Sequence, residues 1–281
     1  MAPPFYADLG KNARDVFGKG YHFGLFKLDV KTKTNTGVDF SVGGVQNLET
    51  KNVVGSLETK YKFKEYGVTF TEKWNTDNVL ATEIAIADFC EGAKLSCDTS
   101  FIPHKGDKSL RLKGDFKNEM FAVNAETDFK SGGPLVRGGG VIGYGGWLCG
   151  AALAFDTSKN KVTENKISMG FCAKDFILNT SINDGRVFSG SIFHKVNSTL
   201  ETGIMLSWAS DTNSTDFNLG CKYYLDQDAA LRFKVNNQAL LGIGYSQKLR
   251  EGVTLSLSTA INGKNFKEGG HNIGLSLELE A

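Results

Sequence analysis

From Leu25 onward, apolar and polar residues alternate with period two, and clusters of Gly, Asn, Asp or Ser break the alternation roughly every 8 to 12 residues. The clearest apolar rows are Val53, Gly55, Leu57, Thr59, Tyr61, Phe63, then Val253, Leu255, Leu257, Thr259, Ile261, and finally Ile273, Leu275, Leu277, Leu279. Shorter rows begin at Phe26, Phe121, Trp147 and Leu231. The pattern predicts an all-β chain of about nineteen strands, each about eight to eleven residues long. The first 24 residues depart from it. Leu9, Ala13, Val16 and Phe17 fall on one face of a helix, and Lys11, Asn12, Arg14 and Asp15 on the other. Gly18, Gly20 and Gly24 follow, giving a hinge into the first strand. The expected organisation is therefore a helix and hinge over residues 1–24 and a barrel over 25–281. Amphipathicity alone leaves the helix either over a barrel end or inside the lumen.

The polar rows decide between a sandwich, which buries its apolar face in protein, and a membrane barrel, which turns that face to lipid. They are densely charged along whole strands, with Lys27, Asp29, Lys31 and Lys33 on the first, Glu58, Lys60, Lys62 and Lys64 on the third, and Arg111, Lys113, Asp115 and Lys117 farther on. Such faces need water on their own side. Nineteen strands about 4.8 Å apart and tilted by about 40° close to a backbone diameter of roughly 38 Å, too wide for side chains to fill. The expected fold is a transmembrane β-barrel around a water-filled pore.

Formal net charge is +1, so any electrostatic preference must come from where charges lie. On the inferred lumen face, Lys27, Lys31, Lys33, Lys60, Lys62, Lys64, Arg111, Lys113, Lys117, Arg232 and Lys234 stand against Asp29, Glu58, Asp115, Glu126 and Asp128, about two to one. A positive lumen prefers anions, and Lys27, Lys31, Lys60, Lys62, Arg111 and Lys113 are the candidate selectivity residues. One carboxylate lies on the wrong face. In GVTFTEKWN the positions Val68, Phe70, Glu72 and Trp74 share the apolar row while Thr69, Thr71 and Lys73 share the polar one, so Glu72 is expected to meet lipid.

Catalytic and metal chemistry find little support. Cys90, Cys97, Cys149, Cys172 and Cys221 lack paired spacing, and His22, His104, His194 and His271 are scattered, with no nucleophile or carboxylate beside them. Gly138, Gly140 and Gly143 match a dinucleotide-loop pattern, but the strand-like YGGWLCGAALAF follows where a helix is required. The N-terminal stretch lacks the apolar run of a secretory signal, and no later segment approaches the ~18 apolar residues of a membrane helix. No enzyme activity, metal or resident cofactor is expected, nor any specific nucleic acid partner.

Several segments resemble the mitochondrial voltage-dependent anion channel family, the eukaryotic porins: YADLGKNARDVFGKGYHFG at the start, GSLETKY and TFTEKWNTDN in the first third, and INDGRVFSGSIF, DQDAALRFK, KVNNQALLGIGY and GKNFKEGGHNIGLSLELEA later. The resemblance implies a nineteen-stranded barrel, a number the family itself exemplifies, with the helix in the pore. It implies a voltage-dependent outer-membrane channel of the mitochondrion, passing ATP, ADP, phosphate and small ions. Lys11, Arg14 and Lys19 match positions that meet nucleotide. Leu240, Leu241, Gly242 and Ser258, Thr259, Ala260, Ile261, Asn262 match stretches associated with nicotinamide nucleotides, though an Asp is usual at Asn262. Glu72 matches a membrane-facing carboxylate implicated in hexokinase association. Outer-membrane lipid, anionic metabolites and hexokinase are thus the implied partners, and a homo-oligomer is left open. A protein-import pore of the same fold and a soluble β-sandwich binding module are the competing readings.

Overall fold

The computed structural model describes residues 2–281 apart from positions 64, 88, 89, 131, 265, 267 and 268, so Lys64 lies outside the described residues. Among the described residues, nineteen strands follow a 3-10 turn (Tyr6–Asp8) and one α-helix, α1 (Lys11–Gly18). The first are β1 (Leu25–Lys33), β2 (Val38–Asn47), β3 (Val53–Phe63), β4 (Val68–Asn75), β5 (Leu80–Ala87) and β6 (Ala93–Ile102). Next come β7 (Asp107–Lys117), β8 (Phe121–Lys130), β9 (Gly133–Tyr144), β10 (Trp147–Asp156), β11 (Lys161–Cys172), β12 (Phe176–Asn183) and β13 (Val187–Lys195). The last are β14 (Leu200–Ala209), β15 (Ser214–Tyr224), β16 (Ala229–Asn236), β17 (Leu240–Arg250), β18 (Val253–Asn262) and β19 (Asn272–Glu280).

Each strand pairs antiparallel with the next, and the sheet closes where β1 and β19 run parallel, Phe26 opposite Leu275 and Lys31 opposite Glu280. An odd strand count requires that parallel seam, because the chain reverses direction at every turn. Closure leaves no edge, so every backbone donor and acceptor in the wall can find a partner without water. A two-sheet sandwich is ruled out by the single closed sheet.

Pairing register fixes the two faces. Starting from Lys27 opposite Ser276 and Val45, the inward row runs through Lys60, Thr71, Asp98, Arg111, Gly150, Gly203 and Lys234 without changing parity. The outward rows carry Trp74, 55% exposed, Ile142, 64% exposed, and Ile273, 68% exposed. Large apolar side chains bared to that extent around a whole barrel need lipid rather than water. What is buried sits inside and is largely small or polar, including Thr71, Ser258 and Ser276. No helix among the described residues is long and apolar enough to cross a membrane.

Candidate functional site

The N-terminal segment lies in the lumen. Leu9, Ala13 and Val16 are each no more than 4% exposed, and they press on small residues of the wall. A Cβ built on Gly220 would stand 2.8 Å from the Phe17 ring, and one on Gly150 would stand 3.0 Å from Leu9. Wall strands β14, β15 and β10 thus have glycine where the segment touches them. The helix is shorter than its apolar pattern suggests. Gly10, with φ of 68°, separates the 3-10 turn from α1, so Leu9 reaches the wall from the turn. Gly18 is the last helical residue, and the chain bends instead at Gly20, φ 78°, and Gly24, φ 70°.

The hinge is clamped to the wall. Lys234 on β16 donates a 2.8 Å hydrogen bond to the Phe17 carbonyl, where a helix C-terminus favours a cation. The same ammonium lies 4.1 Å from the Tyr21 ring centroid and 4.9 Å from that of Phe23. The His22 backbone N–H donates to the Ser258 hydroxyl at 2.9 Å. Burial, then the Lys27 charge, hold the His22 imidazole below the ordinary histidine range.

All six candidate selectivity residues are in inward register, but their charges are not equally available. Lys27 pairs with Asp29 at 2.6 Å, Lys113 with Asp98 at 2.6 Å and Arg111 with Asp128 at 3.3 Å. Lys31, Lys60 and Lys62 make no such pair among the described residues and are exposed to the lumen. The two-to-one excess read from the sequence shrinks once register is known. Glu83, Glu164, Glu201, Asp216 and Glu278 also face inward, as do Lys73, Lys166 and Lys222. Exposed lysines without an ion pair among the described residues stand inward on β1 and β3, and also at Lys94, Lys117, Lys195 and Lys248. Lys222, which the sequence reading passed over, was legible in the alternation Asn218, Gly220, Lys222, Tyr224. With Lys19 and Arg232 it surrounds a cleft of about 250 Å³ between helix and wall, shared with Asp15 and Glu201.

The residues matched to nucleotide contact divide. Lys11 pairs with Asp8 at 3.0 Å and Lys19 with Asp15 at 2.6 Å, both largely exposed to the lumen. Arg14 is turned back on its own chain, donating to the Leu9 carbonyl at 2.8 Å and to that of Ala7. Leu240, Gly242, Ser258, Ala260 and Asn262 share the inward row. Leu241, Thr259 and Ile261 face outward, as strand geometry requires. Contiguous residues alternate faces, so half of any matched stretch must leave the lumen. The glycine pattern from Gly138 to Gly143 lies wholly within β9 and is followed by β10, without the helix a dinucleotide site needs.

Glu72 stands on the outward row of β4, opposite Thr59 and Thr82, and is exposed. It is the one carboxylate on the outward rows among the described residues.

Residues 2–274 match the family model described as Eukaryotic porin. The chain is 53% identical to the "Voltage-dependent anion-selective channel" of Drosophila melanogaster, over 100% of both chains. It is 53% identical to the "Non-selective voltage-gated ion channel VDAC2" of Xenopus laevis, over 99% of both, and 52% identical to that of Homo sapiens, over 99% of this chain and 95% of the relative. A solved mutant of Rh. blastica porin superposes with a TM-score of 0.51 at 12% identity, over 83% of this chain and 96% of that one, a likeness of fold alone. Barrel, register and sequence agree that this chain belongs to the eukaryotic porin family.

Proposed function

We propose that the chain forms a voltage-dependent, anion-preferring diffusion channel of the mitochondrial outer membrane that passes ATP, ADP, phosphate and small ions. The observation that carries this reading is a closed barrel whose lumen holds a seated helix and the unpaired lysines Lys31, Lys60 and Lys62. Both relatives' names support voltage gating; the Drosophila melanogaster name supports anion preference, whereas the Xenopus laevis name says non-selective. Nucleotide phosphates would be met transiently at the cleft of Lys19, Lys222 and Arg232, which offers charge without enclosure. A polypeptide-conducting pore fits less well, because α1 occupies the wall of β13 to β15 that such cargo would need clear.

Reversal potential across a salt gradient in planar bilayers tests the reading. Wild-type protein is expected to prefer chloride over potassium, and Lys60→Glu with Lys62→Glu should shift the reversal potential toward cation preference while the barrel stays folded. Neither lysine holds an ion-pair partner among the described residues that would be stranded. Unchanged reversal potential in the double variant would overturn the assignment.

A further inference from the structure

The outward rows are almost free of charge, and one exception is basic. Apart from Arg250, which follows a bulge at the opposite rim, Lys108 is the one Lys or Arg in outward register among the described residues. Its row reads Trp74, Leu80, Phe101, Lys108 across β4 to β7, one residue from the turns that join β4 to β5 and β6 to β7. The next row toward the middle reads Thr82, Thr99, Leu110, Phe129. Between these side chains the outer wall has a hollow of about 610 Å³ with Lys108 at its margin. The ammonium is 5.6 Å from the centroid of the Phe101 ring, which leaves it over the aromatic floor of the hollow.

We propose that this hollow is a binding site for one anionic glycerophospholipid of the leaflet at that rim. Leu80, Phe101, Leu110 and Phe129 give the hollow, beside Thr82 and Thr99, an apolar lining that suits an acyl chain, while a lysine at the rim reaches the headgroup level with its charge. Lys105 and His104 in the adjoining turn add positive or protonatable groups on the same rim, against Asp77 across the neighbouring gap. A phosphate with no ammonium of its own satisfies Lys108 better than a zwitterionic headgroup does, and a lysine near a membrane surface gains from anionic lipid. Charge complementarity therefore selects the lipid class, and the apolar hollow selects the place. The site is outside the conduction path and does not depend on the channel's ion preference.

The full-length protein in nanodiscs of phosphatidylcholine with a minor fraction of phosphatidylglycerol, read by native mass spectrometry of retained lipid, tests this. The wild type is expected to retain phosphatidylglycerol over phosphatidylcholine by about fivefold relative to the bulk ratio. Lys108→Gln should bring that ratio close to one, Lys108→Arg should keep it, and Leu110→Trp, which fills the hollow while leaving the cation, should lower it. Lys33→Gln, on the lumen side, should leave it unchanged. An absent preference in the wild type, a preference that survives both Lys108→Gln and Leu110→Trp, or an equal loss in Lys33→Gln would overturn the proposal.

Discussion

A single carboxylate facing hydrocarbon is an expensive choice. Lysine or arginine facing the bilayer midplane destabilises a barrel by ~2 to 4 kcal/mol, with carboxylates somewhat below that, so Glu72 lowers stability without serving the pore. Its neighbours across the strands are Thr59 and Thr82, whose hydroxyls soften the local surface but supply no countercharge. The proposed role is regulatory, as a handle for partners at the bilayer, hexokinase among them. Glu72→Gln should leave single-channel conductance and ion preference nearly unchanged, abolish labelling by an apolar carbodiimide and weaken hexokinase binding to mitochondria. Fast labelling of the wild type by a lumen-confined, water-soluble carbodiimide would instead show that β4 presents this residue inward.

Among the elements, α1 is the one that contributes nothing to closure of the sheet. Its ion pairs Asp8–Lys11 and Asp15–Lys19 are internal to the segment and hinge and leave Arg14 over, so helix and hinge would move as a body of one net positive charge. One uncompensated charge crossing the whole field contributes ~2.3 kcal/mol per 100 mV, which bounds what Arg14 can supply. The part of α1 in closure is then steric as well as electrical. Deleting residues 2–18 should leave an inserted barrel of equal or larger open conductance with blunted voltage-dependent closure; wild-type closure in the truncated channel would discard the helix from gating. The strand rows were legible because the lipid face admits so few polar residues that period two survives almost unbroken, as at Val253 to Ile261. The start of α1 was not, since the apolar stripe runs through Leu9 and only the left-handed Gly10 breaks the helix there. Nor was the hinge clamp. Lys234 was readable as a lumen cation, but its meeting with the Phe17 carbonyl joins positions 217 residues apart.

At the scale of the molecule, ion preference arises from a lumen that is wide and only unevenly charged. Several inward cations are matched by a carboxylate one strand away, as Arg137 is by Glu126 at 2.6 Å and Lys113 by Asp98 at 2.6 Å, and such pairs contribute little field at the pore axis. The unpaired lysines of β1 and β3 act across water, where charges are screened beyond about 8 Å at 0.15 M salt and about 3 Å at 1 M. The anion-to-cation permeability ratio should therefore fall toward one as salt rises to about 1 M, while voltage-dependent closure persists. A ratio that held constant over that range would place selectivity in a narrow constriction instead.

The parallel seam also dictates an order of assembly. Every other pairing joins strands separated by a short turn and can zip as soon as both have been made, whereas Phe26 meets Leu275 across nearly the entire polypeptide. Closing a loop of roughly 250 residues adds an entropic cost of about 5 kcal/mol before any constant term, and no local hairpin can nucleate it. The barrel must therefore be completed at β1 and β19 last. Until then it carries two unpaired edges, and a chain interrupted anywhere before β19 would remain an open sheet in need of a chaperoning surface.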